Sequence, residues 1–318
     1  MFDITALGEI LIDFTYQGKN EDGQKLFAQN PGGAPANALT AASRLGAKCA
    51  FLGKAGEDMH GRFLKDVLCQ EGINTDGFLL DPQVFTTLAF VELSPEGERS
   101  FSFARNPGAD TQISRAELKP EILKESKIFH VGSLSLTDEP ARDATVYAVK
   151  TAKENGAIIS YDPNYRASLW TCEEAAKEQM RSLIPYVDIM KISDEETALL
   201  TDFSEPEKAA AALGRQGVTL AVVTLGAEGA YVSKDGKGLL VPGFKSNAVD
   251  TTGAGDSFWG GFLYQVCRSG KRPEEISLEE AAEFAKFANG VASLCVERRG
   301  GIPAMPELSE VMERVANK

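Results

Sequence analysis

The residues best suited to chemistry lie in one stretch, Asp250-Thr-Thr-Gly-Ala-Gly-Asp-Ser-Phe-Trp-Gly-Gly-Phe-Leu263. Gly253, Ala254 and Gly255 fall where a loop passes into an apolar run with helical character. Small side chains there let several backbone N–H groups converge at the positive end of a helix, which makes a cradle for a phosphate. Asp256 puts a carboxylate beside that cradle. A carboxylate is badly placed to bind phosphate but well placed to take a proton from an attacking hydroxyl, so acid and anion hole together suggest group transfer. Taken alone, G-x-G-D reads equally well as a Gly-rich turn with Asp256 capping the helix. Two commoner nucleotide motifs are disfavoured: no Lys-Ser/Thr follows the glycines as in a Walker A loop, and Phe258 occupies the third glycine's place of G-x-G-x-x-G.

A second motif, Pro31-Gly-Gly-Ala-Pro-Ala-Asn37, pairs two glycines with an Asn at the opening of a helix. With both motifs in order, the sequence resembles the ribokinase family of carbohydrate kinases, also called PfkB, across nearly the whole chain. The resemblance implies ATP and Mg²⁺ as cofactors, Asp256 as catalytic base, and the amides of Gly253, Ala254 and Gly255 as the anion hole. It further implies that Gly32 and Gly33 let backbone approach a sugar, that Asn37 offers it a donor and an acceptor, and that Asp13 grips its hydroxyls. Asp162-Pro-Asn-Tyr-Arg166 is similar to the segment near the triphosphate, with Arg166 able to clamp a phosphate and Asn164 contacting ATP or water around Mg²⁺.

Lys191-Ile-Ser-Asp-Glu-Glu196 holds the place of the family's N-x-x-E motif, with Ser193 where the family has Asn. Glu196 matches the acid linked to Mg²⁺, through water, and Ser193 is left to bond a phosphate oxygen. Thr224-Leu-Gly-Ala-Glu-Gly229 resembles the ATP-binding turn, through Thr224, Gly226 and Gly229, and Asn289 matches a position beside adenine. Asp250 and Arg298-Arg-Gly-Gly301 correspond to carbonyl-rich loops that hold a monovalent cation in many relatives, which leaves room for K⁺. Within the family, Gly8-Glu-Ile-Leu-Ile-Asp13, Pro35 and Phe101-Ser-Phe-Ala-Arg-Asn-Pro-Gly-Ala-Asp110 resemble bacterial and plant fructokinases, with Phe103 and Arg105 reaching the sugar from a lid. A 2-keto-3-deoxygluconate kinase is the alternative, because Arg105 with Arg166 could serve a sugar-acid carboxylate. A catalytically silent sugar or nucleotide sensor on the same fold is the alternative of another class.

The elements that must position these residues alternate. Asp3 to Asp13, a short apolar run broken by Gly8, reads as a buried strand reaching the edge of a sheet, Ala34 to Leu45 as a helix, Lys48 to Leu52 as a strand and Gly61 to Gln70 as a helix. After Lys127 the pattern resumes with strands near 127–131, 157–161, 187–191 and 218–224, separated by helices near 138–154, 173–184 and 205–215. Such alternation predicts a doubly wound, mostly parallel α/β sheet sandwiched by helices, in a single domain spanning 1–318. Segments near 12–29 and 85–104 break the rhythm. The second is a hairpin around Ser94-Pro-Glu-Gly97, and both are expected in a small separate β-sheet lid. The last third is helical, at Ala254 to Cys267, Leu278 to Val296 and Leu308 to Ala316.

Composition bounds the partners. The 318 residues carry 33 Lys+Arg and 46 Asp+Glu, so the net charge is 33 − 46 = −13, and the basic residues are scattered. That argues against a nucleic-acid partner and leaves small molecules, a sugar and ATP. No run approaches the about 20 apolar residues of a membrane span, and Met1-Phe2-Asp3-Ile4-Thr5 lacks a basic leader, so no membrane partner and a cytoplasmic location are expected. Cys49, Cys69, Cys172, Cys267 and Cys295 are widely spaced and read as reduced core thiols. With only His60 and His130, a Ser-His-Asp hydrolase has few places for its base. An exposed lid edge would offer a surface for a homodimer.

Overall fold

Short apolar runs alternate with amphipathic ones along the chain, and their order sets the architecture. The computed structural model describes residues 1–93 and 99–317; the turn expected at Ser94-Pro-Glu-Gly97 lies outside them. From the N-terminus come β1 (Phe2–Leu7), β2 (Leu11–Lys19), β3 (Lys25–Gly32), α1 (Ala34–Arg44), β4 (Cys49–Gly56), α2 (Met59–Gln70) and β5 (Asn74–Asp81). Next are β6 (Leu88–Leu93), β7 (Arg99–Ala104), α3 (Pro120–Lys124), β8 (Ser126–Val131), α4 (Ala141–Glu154), β9 (Ile158–Tyr161), α5 (Glu173–Leu183) and β10 (Ile189–Ser193). The chain continues through α6 (Thr197–Thr201), α7 (Pro206–Arg215), β11 (Leu220–Thr224), β12 (Gly229–Lys234) and β13 (Lys237–Pro242). It closes with α8 (Ala254–Ser269), α9 (Leu278–Cys295) and α10 (Leu308–Ala316).

Nine strands form the main sheet in the order β13-β12-β11-β10-β9-β8-β1-β4-β5. All neighbours pair in parallel except β11 with β12 and β12 with β13. The expected doubly wound sheet is therefore observed. Both faces are covered: one core joins Ile4 and Ala6 to α1, α2, α8 and α9, and the other joins Leu7 to α4, α5 and α7. Because β4 and β8 flank β1, the strand order reverses there, and the crevice beyond the carboxyl ends of β1, β8, β9, β10 and β11 is the natural binding place.

The second sheet has four strands, β3-β2-β6-β7, with β2 and β6 parallel and the outer pairs antiparallel. This is the lid expected from residues near 12–29 and 85–104. The segment from Asp3 to Asp13, however, is not one strand. It divides at Gly8, β1 lying inside the main sheet and β2 opening the lid. The chain passes so close to α1 at that point that a Cβ on Gly8 would lie 2.6 Å from Pro35 Cγ, leaving room only for a bare backbone at the crossing. The cysteines need a second correction. Cys49 and Cys295 are buried, but Cys69 and Cys172 are exposed: Cys69 lies near the C-terminal end of α2, and Cys172 caps α5, its Sγ accepting from the Ala175 N–H at 3.5 Å.

Candidate active site

Asp256 is in the first turn of α8 and buried. Its Oδ2 accepts from Asn37 Nδ2 at 2.8 Å and its Oδ1 from Asn164 Nδ2 at 3.1 Å. Two donors from distant parts of the chain thus fix the plane of the carboxyl. The helix-cap reading falls away, since Gly253 holds the capping position of α8 and no side chain caps it. Of the first-turn amides, the Ala254 N–H already donates to the Thr251 carbonyl at 3.2 Å, and a helix start offers its remaining N–H groups to a ligand. Gly253 itself is left-handed, at φ 75°, a conformation that starts the helix sharply and that only glycine adopts at little cost. Burial pushes the Asp256 carboxyl above its ordinary pKa, against the Asn37 hydrogen bond and the charges of Lys191 and Arg166. The result is a carboxylate made more basic by its surroundings, which suits a proton acceptor.

Two clefts meet at the head of α8. The first, beneath the lid, is the more polar of the two, and its lining includes Glu9, Asp13, Asn37, Phe103, Asn164, Arg166, Asp250 and Asp256 beside Leu11, Val91 and Leu134. The second is mostly apolar and is lined by Thr224, Gly226, Gly229, Phe244, Ala254, Gly255, Phe258 and Asn289. Thr251 borders both. A polar cleft fits a polyol, and an apolar one fits a flat heterocycle. The carboxylate and the amide cradle lie on the boundary between them.

Several of the expected residues have tasks other than those the sequence suggested. Arg105 does not line the first cleft. Its buried guanidinium pairs with Asp110 at 2.6 Å, and it donates to Thr137 Oγ1 and the Leu134 carbonyl, both at 2.9 Å. It ties the lid's last strand to the body instead of reaching for a sugar. Gly32 makes room for the Asp13 carboxylate, which a Cβ would strike, while Gly33, at φ 115°, brings α1 against the Glu9 carbonyl. Asn37 spends its donor on Asp256, and its Oδ1 has no hydrogen-bond partner. Asn164 holds Asp256 from a positive φ of 48°, which Asn tolerates better than most residues.

Ser193 and Glu196 border neither cleft. The Ser193 N–H and hydroxyl both donate to Glu196 Oε2, at 2.8 and 3.1 Å, and the Tyr165 N–H donates to Oε1 at 2.7 Å. Ser193 is thus committed to the carboxylate rather than to a phosphate oxygen, and Glu196 staples the Asp162–Arg166 loop to the end of β10. Asn289 is buried, donating to the carbonyls of Val241 and Pro242 at 3.1 and 3.2 Å, so it shapes the wall of the second cleft. Asp250 accepts from the N–H groups of Thr252 and Gly300, each at 2.9 Å, and so joins the two loops expected to carry a cation. Among the described residues no cluster of three or more His, Cys, Asp or Glu forms a metal cage. With both Glu196 oxygens occupied, that donor set fits a Mg²⁺ ion that keeps its waters and arrives on phosphates.

Sequence reasoning passed over two buried groups. Lys191, on β10, pairs with Asp162 at 2.6 Å, and Glu9 accepts from the Ala34 N–H at 2.9 Å while its Oε2 has no partner. The signal was a charge inside an apolar strand pattern, in Ile189-Met-Lys-Ile and Gly8-Glu-Ile-Leu, because such residues are rarely buried without a task.

A polar and an apolar cleft joined at a helix-head anion site, with a clamped carboxylate between them, define a kinase acting on a small-molecule alcohol. The chain matches the pfkB family of carbohydrate kinases over residues 1–308, and it belongs to that family. Fructokinase-2 of Oryza sativa subsp. japonica is 42% identical over 317 residues, covering 98% of this chain and 94% of the rice protein. A fructokinase from Xylella fastidiosa, solved with bound ATP, superposes with a TM-score of 0.92 at 33% identity, covering 99% of this chain and 98% of that one. A fructokinase from Vibrio cholerae O395, solved with fructose, ADP and calcium ion, gives a TM-score of 0.90 at 31% identity, with 99% of each chain covered.

Proposed function

We propose that this chain catalyses ATP-dependent phosphorylation of D-fructose to fructose 6-phosphate. The observation that carries the reading is Asp256, clamped by Asn37 and Asn164 where the two clefts join. Fructose occupies the polar cleft between Asp13, Phe103 and Arg166, and ATP lies along the apolar one. Asp256 takes the proton from the 6-hydroxyl as its oxygen attacks the γ-phosphorus, while the amides from Gly253 to Gly255 hold the phosphoryl oxygens. Mg²⁺ bound to the phosphates would neutralise their charge, with Glu196 acting on it through water. K⁺ at the loops joined by Asp250, and a homodimer through the lid, belong to the same reading.

The alternative substrate, 2-keto-3-deoxygluconate, needs cations for its carboxylate. The commitment of Arg105 to Asp110 leaves Arg166 as the one arginine on the polar cleft among the described residues and favours the neutral sugar. A silent sensor is disfavoured by a base held ready beside an anion site. An ATP-consumption assay across fructose, glucose, ribose, adenosine and 2-keto-3-deoxygluconate, run with and without K⁺, tests the reading. Fructose should turn over fastest, and faster with K⁺. In the Asp256→Asn protein kcat should fall about 10²–10⁴-fold with little change in sugar affinity. Near-normal turnover by that variant would exclude Asp256 as the base.

A further inference from the structure

We propose that Lys191 is a positioning residue for phosphoryl transfer, its buried ammonium supporting the anion cradle and Asp256 from behind the first turn of α8. The inference rests on the kinase reading above. Lys191 Nζ is 2.6 Å from Asp162 Oδ2, and both side chains are almost wholly enclosed. A Cβ on Gly255 would come within 3.0 Å of Nζ and 3.4 Å of Cε. The glycine at 255 therefore does more than admit an anion from the cleft side. It vacates the space that the lysine occupies on the other.

Stability alone does not explain this arrangement. A cation at the N-terminal end of a helix opposes the helix dipole, and a buried ion pair is commonly matched or bettered by apolar residues of similar size. An incoming phosphoryl group reverses that balance, because its charge spreads over oxygens facing the same helix end. The charged and titratable groups around Lys191 are Asp162, Glu196, Asp256 and His130. His130 is kept neutral by burial and by the ammonium itself. Asp162 Oδ1 has no hydrogen-bond partner, so Lys191 is what holds that carboxylate, and the carboxylate in turn holds Nζ beneath the cradle. A fixed charge already in place needs no rearrangement as the transition state forms. The same charge, with Arg166, favours the ionised form of Asp256 against burial and Glu196.

The test uses the full-length protein. Lys191→Met alone leaves Asp162 buried and unpaired, so the informative protein is the double variant Lys191→Met/Asp162→Asn. Its kcat should fall about 10²-fold, with the KM for fructose within about threefold of the parent. The acid limb of its kcat–pH profile should move to higher pH, because the lost ammonium is among the main charges acting on Asp256 and the lost Asp162 carboxylate offsets only part of its removal. A double variant with parental kcat and limb, including one that restores what Lys191→Met lost, overturns the proposal, since the lysine would then serve only to neutralise Asp162. If the double variant fails to fold, Gly255→Ala, which keeps every charge but crowds the ammonium, reads the same quantity. A raised acid limb supports the proposal and an unmoved one overturns it. A parent protein that phosphorylates no sugar would sink the kinase reading itself, an outcome separate from these.

Discussion

Buried carboxylates set the electrostatics of the site, and each makes a different demand on the fold. Glu9 is 3% exposed, has one oxygen without a partner, and is pushed up to about 7, chiefly by burial. Its folded pKa thus exceeds the unfolded value of about 4.5. Stability from this group is complete below about pH 4.5 and is lost as pH rises toward 7, since the native state holds the proton longer. Thermal melts of the parent and of Glu9→Gln should diverge across that window, the variant gaining about 1–3 kcal/mol by neutral pH; parallel curves would show that Glu9 stays ionised. The Asn variant of Asp256 should likewise melt higher than the parent while losing turnover, because it removes a buried charge kept for chemistry. Asp256 was recognisable from its motif. Asn37 and Asn164 were recognisable as site residues, but their clamp on Asp256 was not, because they are 219 and 92 residues away from it in sequence.

At the scale of elements, α8 carries most of the site. It packs against α1 and α9 through Gly260 and Gly261, where Cβ atoms would meet Ala41 and Val291 side chains at 2.8 Å. Gly253 and Gly270 cap its two ends, both left-handed, at φ 75° and 66°. Changing either to Ala imposes the same backbone strain and should cost about 1 kcal/mol of stability. Only Gly253→Ala should also raise the KM for ATP, because it shifts the amides proposed to meet the phosphates. An equal kinetic effect from Gly270→Ala would show that general loosening of the helix, and not the cradle, is responsible. The alternation that placed these elements was plain in the sequence, to within a few residues at each end. The division between two sheets at Gly8 was not, because an apolar run broken by one glycine looks alike whether its halves share one sheet or enter two.

For the whole molecule, the small sheet lends Asp13, Val91 and Phe103 to the polar cleft and offers the edge on which the proposed dimer would form. Leu26 on β3 and Phe90 on β6 are 46% and 37% exposed, and β3 is an edge of the four-stranded sheet. Apolar side chains beside an open edge favour pairing with another chain. Light scattering at micromolar concentration should therefore give twice the mass of one chain, and replacing Leu26 and Phe90 together by Lys should halve it. A single-chain mass for the parent would remove the lid dimer. Among the described residues no helix is long and apolar enough to cross a membrane. Motif spacing and strand–helix order were enough to predict the class of fold and to nominate the Gly253–Gly255 turn as cradle and Asp256 as base, because those depend on neighbours in the chain and on periodicity. Which groups spend their hydrogen bonds on one another was decided only in three dimensions. Arg105 went to Asp110, Ser193 to Glu196, and Lys191 to Asp162 beneath Gly255, because a buried charge must find its partner wherever the packed fold brings one within reach.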